Sequence, residues 1–329
     1  MRGFGRFTRH VLLVGLGAVT ITSTACGGGG AGASDSLVVV SSVAPLVDMI
    51  ERVAGSRAEV RGLVPPGENG HTYVPRPSDA RTLSDASLFI DNGLSLNNVV
   101  RGSVSGNLPK GADIHFLSEG VPESELIGNP DGCHEGHCHG PVNAHLWPDP
   151  NYASIFVDEI VKALSAVDKD GADEYRRNGQ ALQAQMDRLD EAITEASATV
   201  PEASRKLVVY HNAWAYFARR YGFTMIGALQ VLNFAEPSAR EVRGMIDQIK
   251  AEGVPAFFGS EVFPSDVLGA VEEATGARYV PDLADDRLPG EPGAPGHSYV
   301  GMMATNAKLI VEALGGDTAA LDAFLGSLQ

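Results

Sequence analysis

The 329-residue sequence predicts an α/β fold of two lobes, each on a parallel sheet, joined by one long rigid linker helix. Three observations predict it. Short β-branched runs alternate with helical periodicities in two separate series, the pattern of βαβ units. One amphipathic segment, longer than an ordinary globular helix, separates the two series. Beyond its N-terminal leader the chain keeps roughly 300 residues, more than one hydrophobic core comfortably serves.

The first series opens with Leu37 to Val40, an apolar strand, followed by helical spacing from Pro45 to Val53. Glu59 to Val64 reads as a second strand, stopped by Pro65-Pro66-Gly67. Residues 78–86 read as helix, Leu88-Phe89-Ile90 as strand, Leu96 to Val104 as helix and Ile114 to Leu117 as strand. A helix is expected over Tyr152 to Val167.

From Tyr175, apolar residues recur at Leu182, Met186, Leu189, Ile193, Ala196 and Val200, and only Gly179 breaks the series. Arg177, Gln183, Asp187 and Asp190 fill the other faces, so the segment is one helix of about seven turns, ended by Pro201. A coiled-coil partner is the alternative, but the repeat is too short and isolated to favour it.

The alternation then restarts. Leu207 to Tyr210 is a strand leading into His211, with a helix over Trp214 to Tyr221. Thr224 to Leu229 and Ala256 to Gly259 read as strands around a helix from Arg240 to Lys250. Val267 to Thr275 reads as helix, Arg278-Tyr279-Val280 as strand, and Tyr299 to Leu314 as a final long helix. Domain boundaries follow at 1–25 (leader), 26–35 (tether), 36–170 (first lobe), 171–200 (linker helix) and 201–329 (second lobe). In such folds a ligand site sits where the carboxyl ends of strands from both lobes face each other.

The ends and the charge bound the function. Arg2, Arg6 and Arg9 precede an apolar stretch from Val11 to Ile21, and Thr22-Ser23-Thr24-Ala25 leads into Cys26. This is a secretory signal, too short to span a membrane. Cys26 with the Gly27–Gly30 tract resembles a bacterial lipobox and tether, although Ser23 stands where such a box usually carries Leu. The plain alternative is an ordinary signal peptide with a coincidental cysteine. Removing residues 1–25 takes three of 25 Lys+Arg, leaving 22 against 41 Asp+Glu, a net charge of −19. Such acidity argues against nucleic acid as a partner, since little would neutralise phosphates. It suits cations, although a solvated acidic surface explains it as well.

Four of nine histidines fall in one stretch, Cys133-His134-Glu135-Gly136-His137-Cys138-His139 and then His145-Leu146-Trp147. Imidazole is the commonest protein ligand for d-block metals, and packing gives no reason to place so many beside thiols in a Gly- and Pro-punctuated loop. Outside the cytoplasm, two nearby thiols are more often a disulfide than zinc ligands, so Cys133 and Cys138 are expected to be bridged. Three further contexts share a position in a loop or just after a strand: His71, His145 and His211. Any one of them alone is more often a structural histidine than a ligand. Strand ends converging on one cleft favour a joint role.

These contexts carry a resemblance. His-Thr-Tyr-x-Pro-x-Pro-Ser-Asp at 71–79, His-x-Trp-x-Asp-Pro at 145–150 and Tyr-His-Asn-Ala-Trp-x-Tyr-Phe-Ala-x-x-Tyr-Gly at 210–222 resemble the zinc/manganese-binding lipoproteins of metal ABC importers. Ala235-Glu236-Pro237-Ser238 and Ser298 to Asn306 add to it, and the likeness runs from about residue 36 to the end. Ala144 and Pro148 depart from the usual residues around the second histidine.

The resemblance implies a substrate-binding protein, not an enzyme, with His71, His145, His211 and one acid around a single ion. The acid follows a late strand, where Asp282 stands, with Asp285 and Asp286 as substitutes and a solvated turn as their plainer reading. His211, where manganese-selective members carry a carboxylate, turns the expectation to Zn²⁺ with Mn²⁺ as the alternative. Three imidazoles and a carboxylate suit tetrahedral zinc and leave no position for an activated water. His134, His137 and His139 form a secondary recruitment site or a dispensable loop. Arg76 and Asp79 are expected to cap a helix, Trp147 and Trp214 to exclude water or simply fill the core, and His115 and His297 to be bystanders. Partners implied are a membrane ABC permease and, for loading, a metallochaperone, with the membrane touched only through the lipid on Cys26. The chain is expected to be a monomer. The alternatives are a manganese-binding, adhesin-like lipoprotein and a secreted zinc hydrolase, which lacks here a His-Glu-x-x-His helix or a Gly-x-Ser-x-Gly elbow.

Overall fold

Two four-stranded parallel sheets carry the fold in the computed structural model, which describes residues 37–129, 133–134, 137–138, 140–230, 237–260, 266–281 and 283–329. The leader and Cys26 lie outside the described residues. The first sheet has the order β2-β1-β3-β4, from β1 (Leu37–Ser41), β2 (Ala58–Gly62), β3 (Leu88–Asp91) and β4 (Asp113–Phe116). Between these strands run α1 (Ala44–Ala54), α2 (Pro77–Ser84) and α3 (Asn98–Asn107). Val39 and Val40 on the inner strand β1 are wholly buried. Helix α1 turns Leu46, Met49, Ile50 and Val53 onto one face, all at 0% exposure, the i, i+3, i+4, i+7 stripe of a core-facing helix.

The His-rich stretch is not bare loop. Its backbone forms β5 (Cys133–His134) and β6 (His137–Cys138), antiparallel, with Cys133 paired in register with Cys138. Strand pairing of two residues each has no period for sequence reading to detect.

Helices α4 (Pro150–Val167) and α5 (Ala172–Thr199) follow. The second sheet has the order β10-β9-β7-β8, from β7 (Lys206–His211), β8 (Thr224–Gln230), β9 (Ala256–Phe258) and β10 (Arg278–Val280), with α6 (Ala215–Tyr221), α7 (Ala239–Glu252) and α8 (Asp266–Thr275) between them. Alternate residues of β7 serve two cores: Leu207 and Val209 join the large core, Val208 and Tyr210 a smaller one with Met245, Ile249 and Leu268. Ser238 and Glu241 close a capping box on α7, the two donors bonded at 2.6 and 3.3 Å.

The 28-residue helix α5 spans about 42 Å at 1.5 Å per residue. Its buried stripe, Tyr175, Leu182, Met186, Leu189, Ile193 and Ala196, belongs to one continuous core that draws on both sheets. At Gly179 α5 packs tightly on α4, since a Cβ there would lie 2.7 Å from Val161 Cγ2. Leu189→Ala is therefore expected to cost about 2–5 kcal/mol in urea unfolding of the metal-free protein.

Sequence periodicity ends the chain with α9 (Tyr299–Ala313), but α10 (Ala319–Gly326) follows, docking Leu321 and Phe324 onto α5 and α9. At eight residues, α10 is too short for its stripe to stand out. Helix α9 starts on the first lobe: Ser298 Oγ caps Gly301 N at 3.1 Å and Asp48 Oδ2, on α1, accepts from Tyr299 N at 2.8 Å. Among the described residues no helix is long and apolar enough to cross a membrane.

Candidate metal centre

His71 sits in the loop after β2, 6 residues before α2. The Asn69 side chain folds this loop by accepting from His71 N (2.7 Å) and Thr72 N (3.1 Å), an Asx turn. Asn97, which caps α3, also donates to the Gly70 carbonyl. Downstream, Asp79 Oδ2 accepts from Arg76 N (2.6 Å) and from Tyr73 Oη (2.5 Å), so Asp79 fixes the start of α2 instead of reaching the histidines.

His145 precedes α4, which Asp149 caps by accepting from Asn151 N at 2.9 Å. Burial pushes the Asp149 carboxyl above the usual carboxylate range. His211 ends β7, the central position where strand carboxyl ends open onto a cleft.

The three rings converge. His145 Nε2 lies 2.8 Å from His71 Nε2 and 2.9 Å from His211 Nε2. Ring centroids are 4.7–5.0 Å apart, the pairs tilted or edge-on. His145 and His211 are buried, and His71 is half-buried. Second contacts select the tautomers. The Leu96 carbonyl can only accept, so His71 Nδ1 carries the proton in their 3.0 Å bond and Nε2 keeps its lone pair. His145 Nδ1 likewise donates to Asn143 Oδ1 at 2.9 Å. Lone pairs aimed at one another this closely repel, and a cation between them converts repulsion into coordination. Tetrahedral zinc with 2.0–2.1 Å bonds spaces its nitrogens about 3.3 Å apart, so a modest spreading of the rings fits it.

Asp282 lies outside the described residues. Asp285 and Asp286 are not a solvated turn: they are 2% and 6% exposed, drawn inward between buried Leu283 and Leu288. Asp285 Oδ2 lies 3.8 Å from His211 Nε2, and Trp147 Nε1 holds the Asp285 carbonyl at 3.0 Å. Asp286 Oδ2 takes the Gly70 amide at 2.8 Å. Gly70 is confined there, since a Cβ would meet Val43 Cγ1 at 2.6 Å. The signal for this burial was an acidic pair bracketed by leucines.

Trp147 and Trp214 are core residues at 0% and 3% exposure, and the Trp147 ring also leans on His145 at 5.2 Å. His115 binds Glu159 (2.7 Å) and His297 the Pro289 carbonyl (3.0 Å), both apart from the triad. The side chains of His134, His137, Cys133 and Cys138, and all of His139, lie outside the described residues. Asn143 and Leu96, which orient two of the rings, escaped sequence reading.

Two parallel-sheet lobes that bring together three imidazole nitrogens, two from loops and one from a strand end, define a metal-binding solute-capture protein, not an enzyme. The chain belongs to the ZnuA family, zinc-uptake complex component A, periplasmic, whose model matches residues 39–313. It is 28% identical over 307 residues to the zinc-binding protein TroA of Treponema pallidum, covering 92% of this chain and 96% of that one. It is 29% identical over 280 residues to the manganese-binding lipoprotein MntA of Halalkalibacterium halodurans, covering 85% and 89%. The solved structure of the T. pallidum periplasmic zinc-binding protein TroA superposes with a TM-score of 0.75, covering 85% of this chain and 99% of that one. Relatives in this family are substrate-binding proteins of metal ABC transporters.

Proposed function

We propose that this protein captures Zn²⁺ outside the cytoplasm and delivers it to a membrane ABC permease, with His71, His145, His211 and Asp285 as ligands. The observation that carries it is the convergence of three imidazole nitrogens, the outer two 2.8 and 2.9 Å from the central one. Neutral nitrogen donors with a single carboxylate favour zinc, whereas manganese favours oxygen-rich shells. Four protein donors complete a tetrahedron and leave no site for a reactive water, which argues against a zinc hydrolase.

The secretory leader and Cys26 support lipid anchoring at the outer face of the membrane, in line with the lipoprotein name of MntA. His134, His137 and His139 serve as a weaker recruitment site just ahead of His145 in the chain, with Cys133 and Cys138 bridged. The protein acts as a monomer, and a metallochaperone is a second partner consistent with loading.

Manganese capture is the second reading, favoured by relatives such as MntA. Calorimetric competition separates the two. Zinc is expected to bind one-to-one and to displace Mn²⁺ with at least about a hundredfold preference. Manganese displacing zinc would overturn the zinc reading. Deleting residues 133–139 is expected to leave the tight site within about threefold of the parent, because no ligand of the four lies in that stretch.

A further inference from the structure

We infer that Asn143 is the positioning residue that couples the two halves of the metal site. The inference rests on the zinc-capture reading. Asn143 Oδ1 accepts twice from His145, from its backbone N and its ring Nδ1, both at 2.9 Å. Its Nδ2 donates to the Asn212 carbonyl at 2.8 Å, on the residue after His211. That carbonyl can only accept, so it fixes which way the amide points. The main chain is clamped too: Asn143 N donates to Ile127 O at 2.9 Å, and Tyr216 Oη, on α6, donates to Asn143 O at 2.9 Å.

One carboxamide, 5% exposed, thus orients a ligand from the first lobe and grips the backbone beside a ligand from the second. Only a group with an acceptor and a donor in fixed geometry does both. A carboxylate restores the acceptor for His145 but sets a second acceptor against the Asn212 carbonyl. Alanine removes all three side-chain bonds and takes the amide donor away from the Asn212 carbonyl. The neighbouring backbone stays held, since Asn92 Nδ2 donates to the Ala144 carbonyl at 3.0 Å. Residues that hold a ligand histidine in this way are typically worth about 10–100-fold in metal affinity.

The test compares the mature protein with Asn143→Ala and Asn143→Asp. Three readouts are used: Zn²⁺ release to a chelator, the visible spectrum of the Co²⁺-loaded protein, and hydrogen exchange over residues 210–214 without metal. Asn143→Ala is expected to release zinc about 10–100-fold faster with a shifted Co²⁺ spectrum. Asn143→Asp is expected to recover the parent Co²⁺ spectrum while residues 210–214 exchange as fast as in Asn143→Ala. An alanine variant with parental spectrum and release overturns the inference. So does an aspartate variant with parental protection of 210–214. If Asn143→Ala fails to fold, Asn143→Asp alone decides. A parent protein that binds neither metal overturns the capture reading instead, and the exchange data still decide the cross-lobe tie.

Discussion

Replacing His145 with alanine is expected to weaken zinc binding about a hundred- to a thousandfold. A four-ligand zinc site is worth roughly 10–16 kcal/mol, so one ligand's share is roughly 2.5–4 kcal/mol. His145 is the geometric centre of the cluster, its Nε2 the common neighbour of the other two at 2.8 and 2.9 Å. His115 and His297 cannot take its place, since both are engaged elsewhere. The fold should survive. Trp147 and the Asn92 bond to Ala144 hold the loop independently, and removing one ring relieves lone-pair crowding in the metal-free state. Chelator competition reads the affinity and thermal melting of the metal-free protein reads the fold. A loss smaller than about tenfold with the fold intact would remove His145 from the ligand set.

The second large effect is expected at Asp285. Its carboxylate is buried beside His211, with Oδ2 3.8 Å from the ring Nε2. Three neutral imidazoles would leave a dipositive ion uncompensated in a water-poor pocket, which is costly. Asp285→Asn keeps the size and the backbone bond from Trp147 but removes the charge, and about a hundredfold loss of zinc affinity is expected. Asp282→Asn is expected to stay within about threefold. Asp286→Asn should act on the loop through the Gly70 amide, lowering stability more than site charge. Isothermal titration of the three variants ranks them, and a larger loss at 282 than at 285 would move the carboxylate ligand to Asp282.

Much of this arrangement is legible in the chain because its signals are periodic. The stripe from Leu182 to Ala196 announces α5, and β-branched runs such as Val38-Val39-Val40 announce the sheet strands. The three histidines are legible because His71 and His145 open recognisable motifs and His211 closes a strand. What escaped has no period. Pairing of Cys133–His134 with His137–Cys138 is a contact between two residues and two residues. Burial of Asp285 depends on Trp147, 138 positions away, offering a donor to its carbonyl. Asn143 looks like an ordinary loop residue until Asn212 is seen opposite it.

The donors proposed here stand at 71, 145, 211 and 285, one on each of four distant stretches of chain. No fragment of the nascent polypeptide holds more than one of them in place, so selectivity is a property of the finished tertiary structure alone. A chain threaded through a membrane while unfolded brings no cytosolic ion with it. With the secretory leader expected from the sequence, its first cargo would be drawn from the metal pool of whichever compartment it folds in, and export before folding would become part of how the right element is chosen.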